Sequence, residues 1–288
     1  MNGNLKHDTS LKAPFLDGGT VGTASAVAVT VYGATDVGRI RSDNEDTFVI
    51  VDISSGSAVA PGKEKRIPFV GNGVLLMVCD GMGGAAAGGV AAHLASEVIA
   101  LDLVKTSGTL GSSEVEPLRA ALTLANQVIF DESRHRAGER GMGTTCTAGL
   151  LLAGRVVLAE VGDSRAYLFR AGVLRQLTRD QSLAAAMVDS GALTSEEAKT
   201  FPHKNVILQA LGISDHVEPV TSESEVTSND ILLLCSDGLH GSVPDERIAA
   251  ILRDGPGLAA CTQALIGAAL AAGGPDNVTV ILARYEGS

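Results

Sequence analysis

The chain has 288 residues, of which 45% are hydrophobic and 19% charged, a balance that permits a sizeable core and argues against global disorder. Its 33 acidic residues outweigh 22 basic ones for a net charge of −11, which argues against nucleic acid or an anionic membrane surface as a partner and suits cation binding. No run reaches the ~18 consecutive apolar residues of a membrane span, and no basic segment followed by an apolar one opens the chain, so neither a span nor a signal peptide is expected.

Residues 1–25 mix Gly, Thr, Ser, Lys and Asp without periodicity and read as a flexible tail. Ala26–Tyr32 and Thr47–Val51 read as strands, separated from the next run by a loop or hairpin over 54–73. Its charged stretch Lys63-Glu64-Lys65-Arg66 reads as a solvated turn. Val74–Cys79 is a buried strand, and Ala85–Val104 and Glu114–Arg134 carry helical spacing. Thr144–Leu152 and Arg155–Val161 pair around Ala153-Gly154, and Tyr167–Arg170 and Val173–Leu177 pair around Ala171-Gly172. Two short helical patterns fill Ser182–Thr200, the second opening at Thr194-Ser195-Glu196-Glu197. Ile231–Cys235 is a strand, helices follow at Pro244-Asp245-Glu246 and over Leu258–Ala272, and Val278–Ala283 is the last strand. Strands in adjacent pairs, then helices in pairs, indicate an α+β fold. The four cysteines form no C-x-x-C pair and read as buried, reduced thiols of a cytoplasmic protein.

Three apolar runs end on an aspartate and a fourth begins just after one. Val74–Cys79 leads into Asp80-Gly81, Val156–Val161 into Gly162-Asp163, Ile231–Cys235 into Ser236-Asp237-Gly238, and Asp276-Asn277 opens Val278–Ala283. Carboxylates at the mouths of buried strands are costly unless something positive holds them. Together they suggest a shared cation site, and oxygen donors suit Mg²⁺ or Mn²⁺. The six histidines show no H-x-x-x-H spacing, so zinc is not indicated; His240, three residues after Asp237, would lie nearest the site and is expected in a surface or loop role.

The order of Arg41-Ser42-Asp43-Asn44-Glu45-Asp46, Asp80-Gly81-Met82-Gly83-Gly84, Gly141-Met142-Gly143-Thr144-Thr145, Gly162-Asp163-Ser164-Arg165, Ser236-Asp237-Gly238 and Gly274-Pro275-Asp276-Asn277 closely resembles the metal-dependent serine/threonine protein phosphatases of the PPM (type 2C) family, in its bacterial form. The resemblance implies a β-sandwich of two antiparallel sheets flanked by pairs of helices. It places the catalytic domain over residues 26–286, with a flap at about 179–205 beside the active site. It implies hydrolysis of phosphoserine and phosphothreonine by a water bridging two divalent ions, Mn²⁺ or Mg²⁺. Asp46, Asp80 and Asp237 with Asp276 match the carboxylates of that two-metal centre, and Gly81 the residue whose carbonyl is a ligand. Glu45 matches an acidic residue orienting metal-bound water, Asp163 a ligand of a third, weaker site shared with Asp237, and Arg41 the arginine that binds phosphate. Taken alone, Arg41 reads as a surface arginine paired with Asp43 or Glu45. The implied partners are phosphoproteins, a serine/threonine kinase and its targets, and the chain is expected to be a monomer.

Three positions depart from the family. Met82 stands where many members have a histidine thought to protonate the leaving group, Gln181 replaces a common histidine and Gln209 a common arginine. The glutamines flank the flap and are expected to bear on substrate choice. Gly81–Ala86 also satisfies a dinucleotide fingerprint, but Asp80 would face the pyrophosphate and no second strand ends in an acid ~20 residues on. A binding module that had lost catalysis would be expected to lack some of these carboxylates or Arg41, and all are present.

Overall fold

The central strands are buried at nearly every position, so each sheet has two apolar faces and must be covered on both. The computed structural model describes residues 27–69, 71–83, 87–106, 115–135 and 141–287; the tail expected over 1–25 lies outside them. In chain order the elements begin with β1 (Ala28–Asp36), β2 (Asp46–Asp52), β3 (Ser57–Ala58), β4 (Lys65–Pro68), β5 (Val74–Met82), α1 (Ala87–Thr106) and α2 (Val115–His135). There follow β6 (Gly143–Thr144), β7 (Cys146–Leu152), β8 (Arg155–Val161), β9 (Arg165–Arg170), β10 (Val173–Gln176), α3 (Leu183–Asp189) and α4 (Ser195–Lys199). Last come β11 (Val220–Glu225), β12 (Ile231–Cys235), α5 (Asp237–His240), α6 (Asp245–Asp254), α7 (Leu258–Ala271) and β13 (Val278–Glu286).

One sheet has the order β10-β9-β12-β13-β1-β4 and the other β11-β8-β7-β5-β2-β3, with the short β6 paired to β5. Neighbouring strands are antiparallel throughout. The sheets face each other across a core built from Val74, Leu76 and Val78 of β5, Leu232 and Leu234 of β12, and Ile281 and Ala283 of β13. The opposite faces carry the alternate residues. Leu75, Met77 and Cys79 pack under α1 and α2, and Leu233, Cys235, Val280 and Leu282 under α5, α6 and α7. The result is the expected helix–sheet–sheet–helix sandwich. By length and hydropathy α1 could cross a membrane, but Ala91, Ala95, Ile99 and Leu103 are completely buried in the core beneath it.

Several boundaries differ from expectation. β1 runs on to Asp36 because Gly33–Asp36 continue the ladder with Ile281–Val278. The charged stretch is half strand: Lys65 and Arg66 lie on β4, an exposed edge, where Arg66 binds Glu286 at 2.6 Å. Charges on an edge discourage pairing with another chain. β11 was not expected, since Val220–Glu225 lacks apolar alternation; it is an edge strand held by its backbone to β8. The four cysteines are free and buried.

Candidate metal centre

Asp46 opens β2 and the ladder sets it directly opposite Asp80 of β5. Asp46 shares parity with Phe48 and Ile50, and Asp80 with Leu76 and Val78, so both continue the inner face of their sheet to the open end of the sandwich. The other sheet answers from its own inner face. Ser236 Oγ and Thr279 Oγ1 donate to Asp46 Oδ2 at 2.7 and 2.6 Å. Asp237 follows Ser236 as the first residue of α5, and Asp276 lies two residues before β13.

Burial is the first cause of unusual acidity here, and mutual repulsion adds to it. Burial pushes the Asp46 carboxyl up to about 7, against the two hydroxyl bonds that favour its ionised form, with Asp237 and Asp276 adding to the rise. Asp80 is raised well above the carboxylate range by burial and then by Asp46 and Asp237. Asp237 rises to about 6, again by burial first and by Asp276 next, partly offset by a hydrogen bond with Asp80. Asp163 rises to about 7 by burial and the charge of Asp237. Each carboxylate therefore feels the others, and the set is short of positive charge.

The donor set fits hard divalent cations. Its side-chain donors are carboxylate oxygens, and two of them, Asp46 Oδ1 and Asp237 Oδ1, are buried without a hydrogen-bond partner. A buried unpaired carboxylate oxygen is costly, and a cation supplies what it lacks. No three acidic, histidine or cysteine side chains among the described residues already converge on one point. The carboxylates are instead engaged in pairs: Asp46 faces Asp80, Asp80 bonds Asp237, and Asp276 Oδ2 is held by Arg41 Nη2 at 2.7 Å.

Two further residues shape the site through their backbones. A Cβ on Gly81 would stand 2.3 Å from the Gly88 carbonyl oxygen and 2.7 Å from that of Glu45, so only glycine lets the strand come this close to α1. The Gly81 N–H donates to the Glu45 carbonyl at 3.2 Å. The Glu45 carboxylate lies beside Gly88 in the first turn of α1, half-buried. Asn277 is a residue to which the sequence reading assigned no role. Its Oδ1 accepts from Glu45 N–H at 2.8 Å, and its Nδ2 donates to the carbonyls of Val37 and Asp43 at 2.9 and 3.0 Å. It thereby fixes the 37–45 loop, which carries Arg41, against the start of β13. The motif Asp276-Asn277 was the available signal.

Arg41 is paired with Asp276, not with Asp43 or Glu45 as its residue context alone suggests, and its side chain remains half-exposed. His240 is half-buried in the short helix α5, its Nε2 3.0 Å from the Asp163 carbonyl oxygen, and desolvation pushes its imidazole down to about 3. A neutral ring facing a backbone carbonyl is a donor, which leaves no role as a cation ligand on that nitrogen. The flap segment and α5–α6 enclose a cavity of about 770 Å³ lined by Asp163, Asp237, His240 and Lys204 among others. The charge of Lys204 favours the ionised form of Asp237 and the neutral form of His240. Neither Gln181 nor Gln209 is spent on this cavity. Gln181 bonds the Gly162 turn and Gln209 Oε1 accepts from Glu218 N–H at 3.0 Å.

A two-sheet sandwich with paired flanking helices thus carries, at one end, an acidic seam suited to hard divalent cations. Residues 65–265 match the family model "Protein phosphatase 2C". The serine/threonine phosphatase stp of Listeria monocytogenes is 37% identical over 253 residues, 88% of this chain and 94% of its own length. The crystal structure of the Mycobacterium tuberculosis serine/threonine phosphatase PstP/Ppp superposes with a TM-score of 0.75 at 35% identity, covering 90% of this chain and 99% of that one. The catalytic domain of PstP in complex with two manganese ions gives 0.74 at 35% identity, with the same coverage. The chain belongs to the protein phosphatase 2C family.

Proposed function

We propose that this protein is a metal-dependent serine/threonine phosphatase that hydrolyses phosphoserine and phosphothreonine in proteins. The observation that carries the reading is the seam itself: four carboxylates contributed by both sheets, two with buried, unpartnered oxygens. Asp46, Asp80, Asp237 and Asp276, with the Gly81 backbone, would hold two Mn²⁺ or Mg²⁺ ions, and Asp163 with Asp237 a third, weaker one. Such ions supply activated water and neutralise charge on the phosphoryl group. The chain's own residues then divide the remaining work. Arg41 projects a half-exposed guanidinium at the edge of the carboxylates, where its planar fork suits two phosphate oxygens. Binding phosphate there exchanges the carboxylate of Asp276 for the substrate and frees Asp276 for a cation. Glu45, whose carboxylate lies beside Gly88 in the first turn of α1, would orient cation-bound water. Ser236 and Thr279 hold one oxygen of Asp46 and leave the other, Oδ1, without a partner and free for a cation.

The reading extends to a cytoplasmic monomer, whose substrates are the targets of a serine/threonine kinase and the kinase itself. Four buried free thiols support a reducing compartment, and a net charge of −11 argues against nucleic acid as the partner. The test is hydrolysis of p-nitrophenyl phosphate and of a phosphothreonine peptide with Mn²⁺, with Mg²⁺ and with excess chelator. Turnover that needs the cation and disappears on chelation is expected. A folded, manganese-loaded protein without turnover would refute the enzyme reading.

A further inference from the structure

Thr35 is an exposed side chain on β1 whose hydroxyl is spent on a buried partner. The ladder between β1 and β13 sets it directly opposite Thr279. It shares parity with Val29 and Val31, which face the core between the sheets. Thr35 thus continues that inner face to the open end of the sandwich, where it is exposed and Thr279 is completely buried. The two hydroxyl oxygens lie 2.7 Å apart. On the solvent side, Asn44 Nδ2 donates to Thr35 Oγ1 at 2.9 Å, and Asn44 Oδ1 accepts from the Asp46 N–H at 3.2 Å.

Counting hydrogens fixes the direction of this chain. A hydroxyl has one hydrogen to give. That of Thr279 goes to Asp46 Oδ2, so toward Thr35 it can only accept, and the Thr35 hydroxyl must donate. Thr35 in turn accepts from the Asn44 amide. Every donor therefore points the same way, from the solvent edge to Asp46, and the Asp46 N–H closes the circuit on Asn44. Hydrogen bonds aligned in series polarise and strengthen one another. Ser236, the other donor to Oδ2, is set from within β13, since its Oγ accepts from the Thr279 N–H at 3.0 Å. Oδ2 is fully engaged, and Oδ1 is the oxygen left without a partner.

We propose that Thr35 is a positioning residue for the metal centre: by donating to Thr279 it sets the aim of the Asp46 carboxylate, and Asn44 holds Thr35 to that task. This rests on the metal reading above. Groups that orient a ligand through hydrogen bonds typically change metal affinity by about 10–100-fold when lost. Thr35 acts through one intervening hydroxyl, and the worth of a single neutral hydrogen bond makes its share roughly 2–10-fold.

The test is a Mn²⁺ titration of chelator-treated protein by calorimetry. Thr35→Val keeps the shape of the side chain and removes its hydroxyl. It should weaken the tight binding phase roughly 2–10-fold, while the thermal midpoint in chelator moves no more than an exposed substitution moves it. Thr35→Ser returns the hydroxyl and should restore wild-type affinity. Thr30→Val makes the same exchange five residues earlier on β1, where the hydroxyl serves Glu286, and should leave Mn²⁺ binding unchanged. Wild-type affinity in Thr35→Val, no recovery in Thr35→Ser, or an equal loss in Thr30→Val overturns the proposal. Should Thr35→Val fail to fold, Asn44→Ala decides: it removes the donor at the head of the chain and should weaken the same phase, and unchanged affinity there overturns the proposal. Wild-type protein that takes up no Mn²⁺ at all refutes the metal reading itself, and the role of Thr35 falls with it.

Discussion

Replacing Asp46 with asparagine should stabilise the metal-free protein at pH 8 while removing what cations add. The Asp46 carboxyl ionises at about 7 in the folded chain, against an ordinary value of 3.8. The unfolded chain therefore releases this proton first. Asp46 favours the fold below about pH 4, and that advantage is lost as pH rises to about 7 and stays lost above it. The distance between those two values corresponds to roughly 4 kcal/mol, at ~1.4 kcal/mol per pH unit. Asparagine cannot ionise and removes that cost. It still leaves one buried amide atom where Asp46 Oδ1 has no partner, which returns about 1–3 kcal/mol. The net expectation at pH 8 in chelator is a gain of about 1–3 kcal/mol, or a midpoint higher by roughly 2–10 °C. At pH 4 the two proteins should be equal or the variant slightly weaker. Saturating Mn²⁺ reverses the ranking, since each ion bound at 100 times its Kd adds about 2.7 kcal/mol to the wild type and little to the variant. Thermal unfolding at pH 4, 6 and 8, with chelator and with Mn²⁺, reads all of this. A variant whose difference from wild type does not change with pH, or which gains as much from Mn²⁺, would refute the electrostatic account of the seam.

Asp237→Asn should abolish turnover of a phosphothreonine peptide while circular dichroism shows the fold intact; near wild-type turnover would count against the shared-carboxylate assignment. Arg41→Ala should raise KM for the peptide by roughly 10–100-fold, the worth of lost charge-assisted hydrogen bonds. Manganese affinity should stay equal or improve as Asp276 is released, and an unchanged KM would sink the phosphate role. Gly81→Ala should lower stability by about 1–3 kcal/mol or more, because the new methyl meets two backbone oxygens that cannot swing aside; a thermal midpoint equal to wild type would show that β5 can retreat from α1.

The parts of the fold that could be read directly are those whose physics is local. β5, β8, β12 and β13 are continuous apolar runs because both their faces are covered, and the aspartates stand out at the ends of such runs. α4 was legible from Thr194 and Glu197, which form a reciprocal cap. The parts that escaped are held by partners distant in the chain. β11 and β4 are edge strands whose polar side chains carry no burial signal and whose pairing depends on β8 and β1. α5 is a single turn following Ser236, too short for periodicity to register. In the site, the carboxylates were visible but their wiring was not. That Ser236 and Thr279 grip Asp46, that Asn277 pins the Arg41 loop, and that Gln181 bonds the Gly162 turn are contacts across sheets and loops, invisible in a linear spacing.

The position of β13 has a consequence for how the protein is made. This strand, late in the sequence, is central in its sheet, paired along nine residues with β1 and along five with β12. During synthesis, domains form in step with the emerging chain, N-terminal parts first. Here β1 has its main partner at the other end of the sequence, Val31 lying opposite Ala283, and must wait for it with an apolar edge open. Until Val278–Glu286 emerges, Asp276 and Asn277 cannot dock against the Arg41 loop. A ribosome-bound intermediate would thus be inert toward phosphoproteins and exposed to aggregation at the same edges, and activity would begin only once the gap between β1 and β12 is filled.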